Sequence, residues 1–396
     1  MSLISVLKQA QNNNPRVSEY QHRIQSSQAN LNAARWEYFP ELSVSWQENT
    51  RGTQASTLNI TQVVWDGGKV SGNIAQAKAR RQTSEAEGIE VLQTLLMDTA
   101  ETVYQIMTLK ARLSASYDNE RQYKELARVI KRRSDTGVSP EVDKILSAAR
   151  LEIAISERIR LERDIASAYQ KLREYTGKDY SNYNFATLSL PSIPPEDKLY
   201  AIGFNYSPVF KRLNSELELS SERINYQKAL QYPNISLNYR KDLGSTNAGE
   251  HSDEFLLSAS FETGRGFSKL STLKARYSER EESYQRIETF KREYRRILND
   301  KVDYIENLKR LLPPLQIASD GALSVVESYV RQFQAGKKSW LDVLNAQRER
   351  NQTMVDYLVS KVDLEKSQVD LLLYTGILQT SGMLMDESTD TMGGHQ

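Results

Sequence analysis

The chain has 396 residues, more than one ordinary compact core uses, and its 52 Lys and Arg against 51 Asp and Glu leave no basic footprint for nucleic acid. It has no cysteine, which excludes a disulfide framework, a thiolate zinc site, a cysteine nucleophile and a lipid-bearing thiol. Gly (18) and Pro (10) are few for a loop-rich chain, whereas 21 Tyr are many for the mainly helical chain that the abundance of Glu, Gln, Arg, Lys, Leu and Ala favours.

The first residues, MSLISVLKQAQNNN, lack the charged and then apolar pattern of a secretory leader, so either the chain is not exported or a leader has already been removed. No apolar run approaches the roughly 20 residues of a membrane helix. A short helix is expected before Asn14-Pro15, and a second of about 20 residues before Pro40. After Pro40 the pattern alternates. Leu42, Val44 and Trp46 fall on one face and Glu41, Ser43, Ser45 and Gln47 on the other; Leu58, Ile60 and Val64 then oppose Asn59 and Thr61. From Lys69 to Arg132 there is no proline. Leu92, Leu96, Thr99, Val103, Ile106 and Leu113 recur in threes and fours, which predicts a helix about 95 Å long with a coiled-coil seam. A turn at Gly137 and a helix of about 37 residues, ending near "YTG" 175–177, complete this series.

The series then recurs. "NNNPRVSEY" 12–20 matches "NYSPVFKRL" 205–213, and "YFPELSVSW" 38–46 matches "QYPNISLNY" 231–239. Gly137 pairs with Gly336, Asp143 with Asp342, and "YTG" recurs at 374–376. The expected organisation is a first repeat at 1–177, a linker at 178–194 leading through the Pro-rich "LSLPSIPPED", a second repeat at 195–376, and a C-terminal segment 377–396 whose polar tail is expected to be disordered. Ile235, Leu237 and Tyr239 predict a third strand, and Phe255, Leu257, Ala259 and Phe261 a fourth. A second long helix at about 268–334 carries Pro313-Pro314, where a kink or short break is expected. Val355, Leu358, Val362, Val369 and Leu372 mark the seam of the last helix.

The strands allow two readings. They are half-buried hairpins packed on helices, or membrane strands with an interfacial aromatic belt that includes Trp46, Trp65, Tyr239 and Phe255. Four strands cannot close a barrel in lipid, so the second reading requires a trimer supplying twelve. His22, His251 and His395 are scattered, no Ser/His/Asp set is present, and "WDGGK" lacks the spacing of a phosphate loop, so neither an enzyme nor a metal or cofactor site is expected. A soluble or membrane-surface coiled-coil scaffold is the competing class.

The doubled Asn/Ser-Pro, "AARWEYFPELSVSW", "NITQVVWDGGKV" and the Gly-x-x-Ser-x-x-Asp turn at 336–342 with its counterpart at 137–143 resemble the TolC family of Gram-negative outer-membrane exit ducts, over residues 1–378. The resemblance implies a mainly α fold with a transmembrane β-barrel. Three chains form one duct, with a twelve-stranded barrel in the outer membrane, a long helical barrel through the periplasm and an equatorial belt from helices 1–13 and 195–205 and the region around 178–195. It places both Gly turns at the periplasmic end, where Gly supplies the tight reversal and Ser139 and Ser339 are expected to cap the following helices. Gly137, Val138, Ser139, Gly336, Lys337 and Ser339 become candidates for contact with a periplasmic adaptor. Asp342 matches a position that rings the entrance, and Asn345 stands where the family often has a second acid. Lys338 and Phe333 replace the Arg and Tyr of family gates, so Phe333 lacks a hydroxyl to bond Asp143, and packing by Phe333 or Trp340 is expected to replace that network. The implied partners are two further copies of the chain, the adaptor, an inner-membrane ABC transporter, outer-membrane lipid and an exported protein cargo. "RQFQAGKKSWLDVLNAQRE" looks closer to the type I secretion branch, including adhesin exporters, than to drug-efflux ducts, which are the alternative.

Overall fold

A computed structural model describes residues 1–48, 54–186, 190–245, 253–262, 264–266 and 268–380. His251, His395 and the polar tail lie outside them. The elements in chain order are α1 (Leu3–Asn13), α2 (Pro15–Trp36), β1 (Glu41–Glu48), β2 (Gln54–Trp65), α3 (Lys69–Asp135), α4 (Glu141–Thr176), α5 (Glu196–Tyr206), α6 (Pro208–Ala229), β3 (Asn234–Ser245), β4 (Asp253–Ser260), α7 (Ser268–Gln334), α8 (Trp340–Tyr374) and α9 (Ile377–Thr380). The duplication read from the sequence recurs in element lengths. α1 and α5 have 11 residues each, α2 and α6 22, α3 and α7 67, α4 36 and α8 35. Pro15 and Pro208 each open a helix at its first position, where the missing N–H is not needed. The stretch from the first strand to the long helix runs from Glu41 to Lys69 in one repeat and from Asn234 to Ser268 in the other. The second stretch is the longer, so the extra residues of the second repeat fall within its hairpin segment.

The chain forms two compact units, each assembled from parts of both repeats. The first contains Ser18–Val91 and Pro208–Glu293 and holds the sheet. Its four strands are antiparallel in the order β1-β2-β3-β4, and β2 with β3 joins the repeats. In register, Leu42 opposes Ile60, Ile60 opposes Tyr239 and Tyr239 opposes Phe255. One face therefore carries Leu42, Val44, Trp46, Leu58, Ile60, Leu237, Tyr239, Phe255 and Leu257. The other is a polar ladder. Thr61 bonds Asn238 at 3.0 Å, Ser236 and Ser258 meet at 2.9 Å, and Asn238 donates to Ser258 at 2.8 Å. The half-buried reading fails here. Leu42, Val44, Phe255 and Leu257 are 65–71% exposed, β1 is exposed along its whole length, and β1 and β4 are open edges. Period two marks a sheet with one apolar face but does not say what covers it. Trp65 lies in the row at one end of the apolar face, edge-on to Tyr232 at 6.0 Å, and Trp46 lies towards the other end. Tyr239 and Phe255, 4.8 Å apart, sit in a row between them rather than at an end.

"WDGGK" turns the chain from β2 into α3. The Asp66 carboxylate accepts from the N–H groups of Gly68 (2.8 Å) and Val70 (2.5 Å), satisfying two donors at the helix start. Gly67 has φ +69°, and a Cβ there would fall 2.4 Å from Tyr232 Cβ, so only glycine fits. Lys69 Nζ reaches the Tyr232 carbonyl and Asn234, both at 3.0 Å, tying the first repeat to the second.

The second unit contains Met1–Val17, Leu92–Ser207 and Tyr294–Gln396. The α3 seam and the C-terminal part of the α8 seam form its core, while Val355 and Leu358 are only half-buried. Leu96, Val103 and Ile106 of α3 pack with Leu161 and Leu172 of α4, Val369 and Leu372 of α8, and Val6 and Leu7 of α1. Six of the tyrosines meet in two ring clusters, Tyr169, Tyr180 and Tyr183 with Phe185, and Tyr200, Tyr294 and Tyr374 with Phe204. α7 runs through Pro313-Pro314 without the break expected there. The two prolines are exposed, so the carbonyls of Lys309 and Arg310 that lose their helical donors lie on a face open to water. Buried Ile305, Leu308 and Val326 anchor the helix on both sides. Among the described residues no helix is long and apolar enough to cross a membrane.

Candidate gate and docking turns

Both Gly turns belong to the second unit and share one backbone design. Gly137 (φ +71°) and Gly336 (φ +74°) take the left-handed conformation that ends a helix. Val138 N–H bonds the Arg133 carbonyl at 2.8 Å, and Lys337 N–H bonds the Gln332 carbonyl at 2.9 Å. A Cβ at either glycine would meet nothing within 4 Å, so φ alone demands glycine.

The caps differ. Ser339 caps α8 through a reciprocal box: its Oγ accepts from Asp342 N–H at 3.2 Å, while Asp342 Oδ2 accepts from Ser339 N–H at 3.1 Å and from its Oγ at 2.8 Å. Ser139 is not a cap. Pro140 occupies the N-cap of α4, the place that Ser339 takes before α8, and offers no side-chain acceptor. Ser139 stands where the second repeat has Lys338, and its Oγ accepts from Arg133 Nε at 3.3 Å.

The Ser339 hydroxyl, then its backbone N–H, hold the Asp342 carboxyl below the usual aspartate range, with Lys338 adding a smaller pull. A depressed carboxylate contributes its stabilisation at neutral pH and loses it as pH falls through the lowered value. Asn345, one turn on, is exposed. Asp143 is half-buried, and its carbonyl accepts from Ser147 Oγ at 2.8 Å. Lys338 turns back over the Tyr329 ring at 4.5 Å. Lys337 and Val138 project into solvent, Val138 at 62% exposure.

Phe333 and Trp340 form the centre. Their rings lie 4.8 Å apart, and they pack with Tyr123, Leu126, Ile130, Val343 and Leu344. Trp340 Nε1 donates to the buried Ser147 Oγ at 2.5 Å, clamping α8 to α4. The Arg133 guanidinium stands 4.9 Å from the Phe333 ring centroid. A shared apolar cluster thus lies at the base of both turns. Arg133 and Ser147 were missed as site residues, although the repeat offset pairs Arg133 with Gln332, the carbonyl bonded by the second turn. Arg350 pairs with Asp118 at 2.6 Å, their side chains 12% and 15% exposed, and Gln347 bonds Asn119 at 3.1 Å. These pairs join α8 to the C-terminal third of α3, and partners so far apart in the chain leave no signal in spacing.

Residues 6–178 match the outer membrane efflux protein family. The cobalt-zinc-cadmium resistance protein CzcC of Cupriavidus metallidurans is 23% identical over 375 residues, 90% of this chain and 86% of that protein. The outer membrane protein VceC of Vibrio cholerae has a TM-score of 0.83 at 13% identity, covering 94% of this chain and 96% of VceC. CusC, solved in a study of transmembrane channel formation, gives 0.82 at 16% identity, covering 94% and 91%.

The first repeat is thus similar to the outer membrane efflux protein family, and the whole chain shares the fold of solved outer-membrane channels.

Members of the outer membrane efflux protein family are passive channels of the Gram-negative outer membrane with long periplasmic helical tunnels, and they are not enzymes. They form trimers and work with a periplasmic adaptor and an inner-membrane transporter.

Proposed function

We propose that three copies of this chain close a twelve-stranded barrel and form a passive exit duct, with the Gly turns as adaptor contacts and the Phe333–Trp340 plug as its closing element. The apolar face of the sheet carries this reading, because no described part of the chain covers it. An open edge in lipid costs several kcal/mol per unpaired backbone group, which three chains avoid by closing on one another. Leu42→Arg, on the apolar face, is expected to cost about 2–4 kcal/mol and to reduce the yield of detergent-stable trimer. Ser43→Arg, on the polar face, should leave it unchanged. Size-exclusion chromatography in detergent distinguishes them, and equal yields would remove the lipid-facing assignment.

Asp342 we assign to a carboxylate ring at the mouth. Asp342→Asn keeps an oxygen for the cap and removes the charge, so bilayer recordings should show cation preference falling about threefold or more. In the wild type the preference should be lost only as pH falls below the usual aspartate range, because Ser339 holds the carboxyl ionised there. An unaltered reversal potential in the variant would leave Asp342 as a helix cap only.

Two cargo readings each have their own support. The likeness of "RQFQAGKKSWLDVLNAQRE" to the secretion branch favours an unfolded polypeptide driven by an ABC transporter. The family and the cobalt-zinc-cadmium resistance relative favour efflux of small solutes or ions. Deleting the gene and measuring secreted protein beside metal and drug tolerance separates them: loss of secretion alone selects the first, loss of tolerance alone the second.

A further inference from the structure

The sheet-bearing unit contains a cavity of about 320 Å³ between α3, α6 and α7. Gln76 and Arg80 of α3, Arg223, Tyr226 and Gln227 of α6, and Arg276 of α7 line it. Three arginines thus line one cavity, and none of its lining residues is acidic. One Arg276 nitrogen, Nη1, is held by Glu279 at 2.7 and 2.8 Å. Arg80 and Arg223 form no ion pair with any described residue. The contrast lies on the same helix: Arg212 of α6 is held by Glu90 at 2.8 Å and Glu216 at 2.7 Å. This unit neutralises an arginine between two acids there and leaves two others without a counter-charge at the cavity.

The cavity is also built. Gln76 and Gln227 are both 7% exposed. Gln76 Nε2 bonds the Gly72 carbonyl at 3.4 Å, and a Cβ on Gly72 would stand 3.3 Å from Tyr226 Cα, so α3 and α6 meet there nearly backbone to backbone. Like charges gathered without counter-charge repel one another until an anion enters.

We propose that this cavity binds a phosphate-class anion, gripped by the forked donors of Arg80, Arg223 and Arg276. The planar guanidinium matches phosphate oxygens two at a time, which a lysine cannot do. Gln76 and Arg80 are the eighth and twelfth residues of α3, roughly 12–18 Å along the helix from its start beside the sheet. In the duct reading, on which this placement rests, that depth faces the headgroup layer of the periplasmic leaflet. The phosphate can come from a phospholipid headgroup or from solution.

The test uses the full chain purified in detergent, as wild type, Arg80→Gln/Arg223→Gln and Arg223→Lys. Native mass spectrometry measures retention of dioleoylphosphatidylglycerol against phosphate-free dioleoylglycerol, and calorimetry measures inorganic phosphate. The phosphate-bearing probe should bind the double variant at least about tenfold more weakly and Arg223→Lys, which keeps charge but loses the fork, by less. Phosphatidylglycerol alone responding assigns the lipid; inorganic phosphate responding as well assigns a dissolved anion. Binding of neither phosphate probe, equal binding by all three proteins, or dioleoylglycerol binding as well as phosphatidylglycerol overturns the proposal. Should the double variant fail to assemble, Arg223→Lys alone decides, since unchanged phosphate binding by it contradicts the forked grip. The inorganic phosphate arm does not depend on a membrane, and failure of the duct reading would appear separately as absent conductance.

Discussion

Trp340→Ala is expected to loosen the turn end of the helix pairs by about 3–5 kcal/mol. Trp340 is 2% exposed, its ring packs on Phe333, and its indole N–H holds Ser147 on α4. Truncation removes this clamp and leaves a cavity among Tyr123, Leu126, Val343 and Leu344. Hydrogen exchange should accelerate at 120–155 and 325–350 while the Leu96–Leu372 core stays protected. Trp340→Phe keeps most of the packing and loses one hydrogen bond, so it should cost about 1 kcal/mol; Ser147 would still donate to the Asp143 carbonyl. If the plug closes the mouth, Trp340→Ala also raises the open probability in bilayer recordings. Exchange unchanged by Trp340→Ala would show that the two turns are held elsewhere.

The second large effect belongs to the glycines. Gly137→Val and Gly336→Val place a β-branched residue at positive φ, costing about 1–3 kcal/mol at each turn. Each change is repeated in every copy, so export should fall more than about tenfold although the trimer persists. No neighbour lies within 4 Å of the new Cβ, which isolates the cause as backbone strain or a disturbed partner surface. Asn tolerates the left-handed conformation and separates these causes. Export retained in Gly336→Asn assigns a geometric role; export lost there assigns the surface to the adaptor. Normal export by both Val variants would remove the docking proposal.

Periodicity made the fold legible because long helices and strands bury one stripe or face at a time. The 3.6-residue rows around Leu96 and Val103 and the alternation around Val44 each mark a side chain that must leave water. The repeat was legible because insertions accumulate in turns, and here the extra residues fall in a hairpin segment. Pro313-Pro314 misled because propensity weighs the lost hydrogen bond but not a solvated helix face anchored on both sides. Ser139 misled because cap preference names a residue type, and the chain places Pro140 one position later at the cap. The clamp between Trp340 and Ser147, and the pairing of Arg350 with Asp118, join positions far apart in the chain, and no local pattern records them.

The central claim is a trimeric duct through the outer membrane, and single-channel recording of the detergent-purified protein in a planar bilayer tests it most directly. Wild type and Trp340→Ala belong in the same experiment, so that a closed mouth is not mistaken for a missing channel. The account predicts discrete, stable, cation-preferring unitary currents from a trimer, more often open in Trp340→Ala. A protein that remains monomeric and soluble without detergent, and carries no current in either form, would contradict it and leave a coiled-coil scaffold.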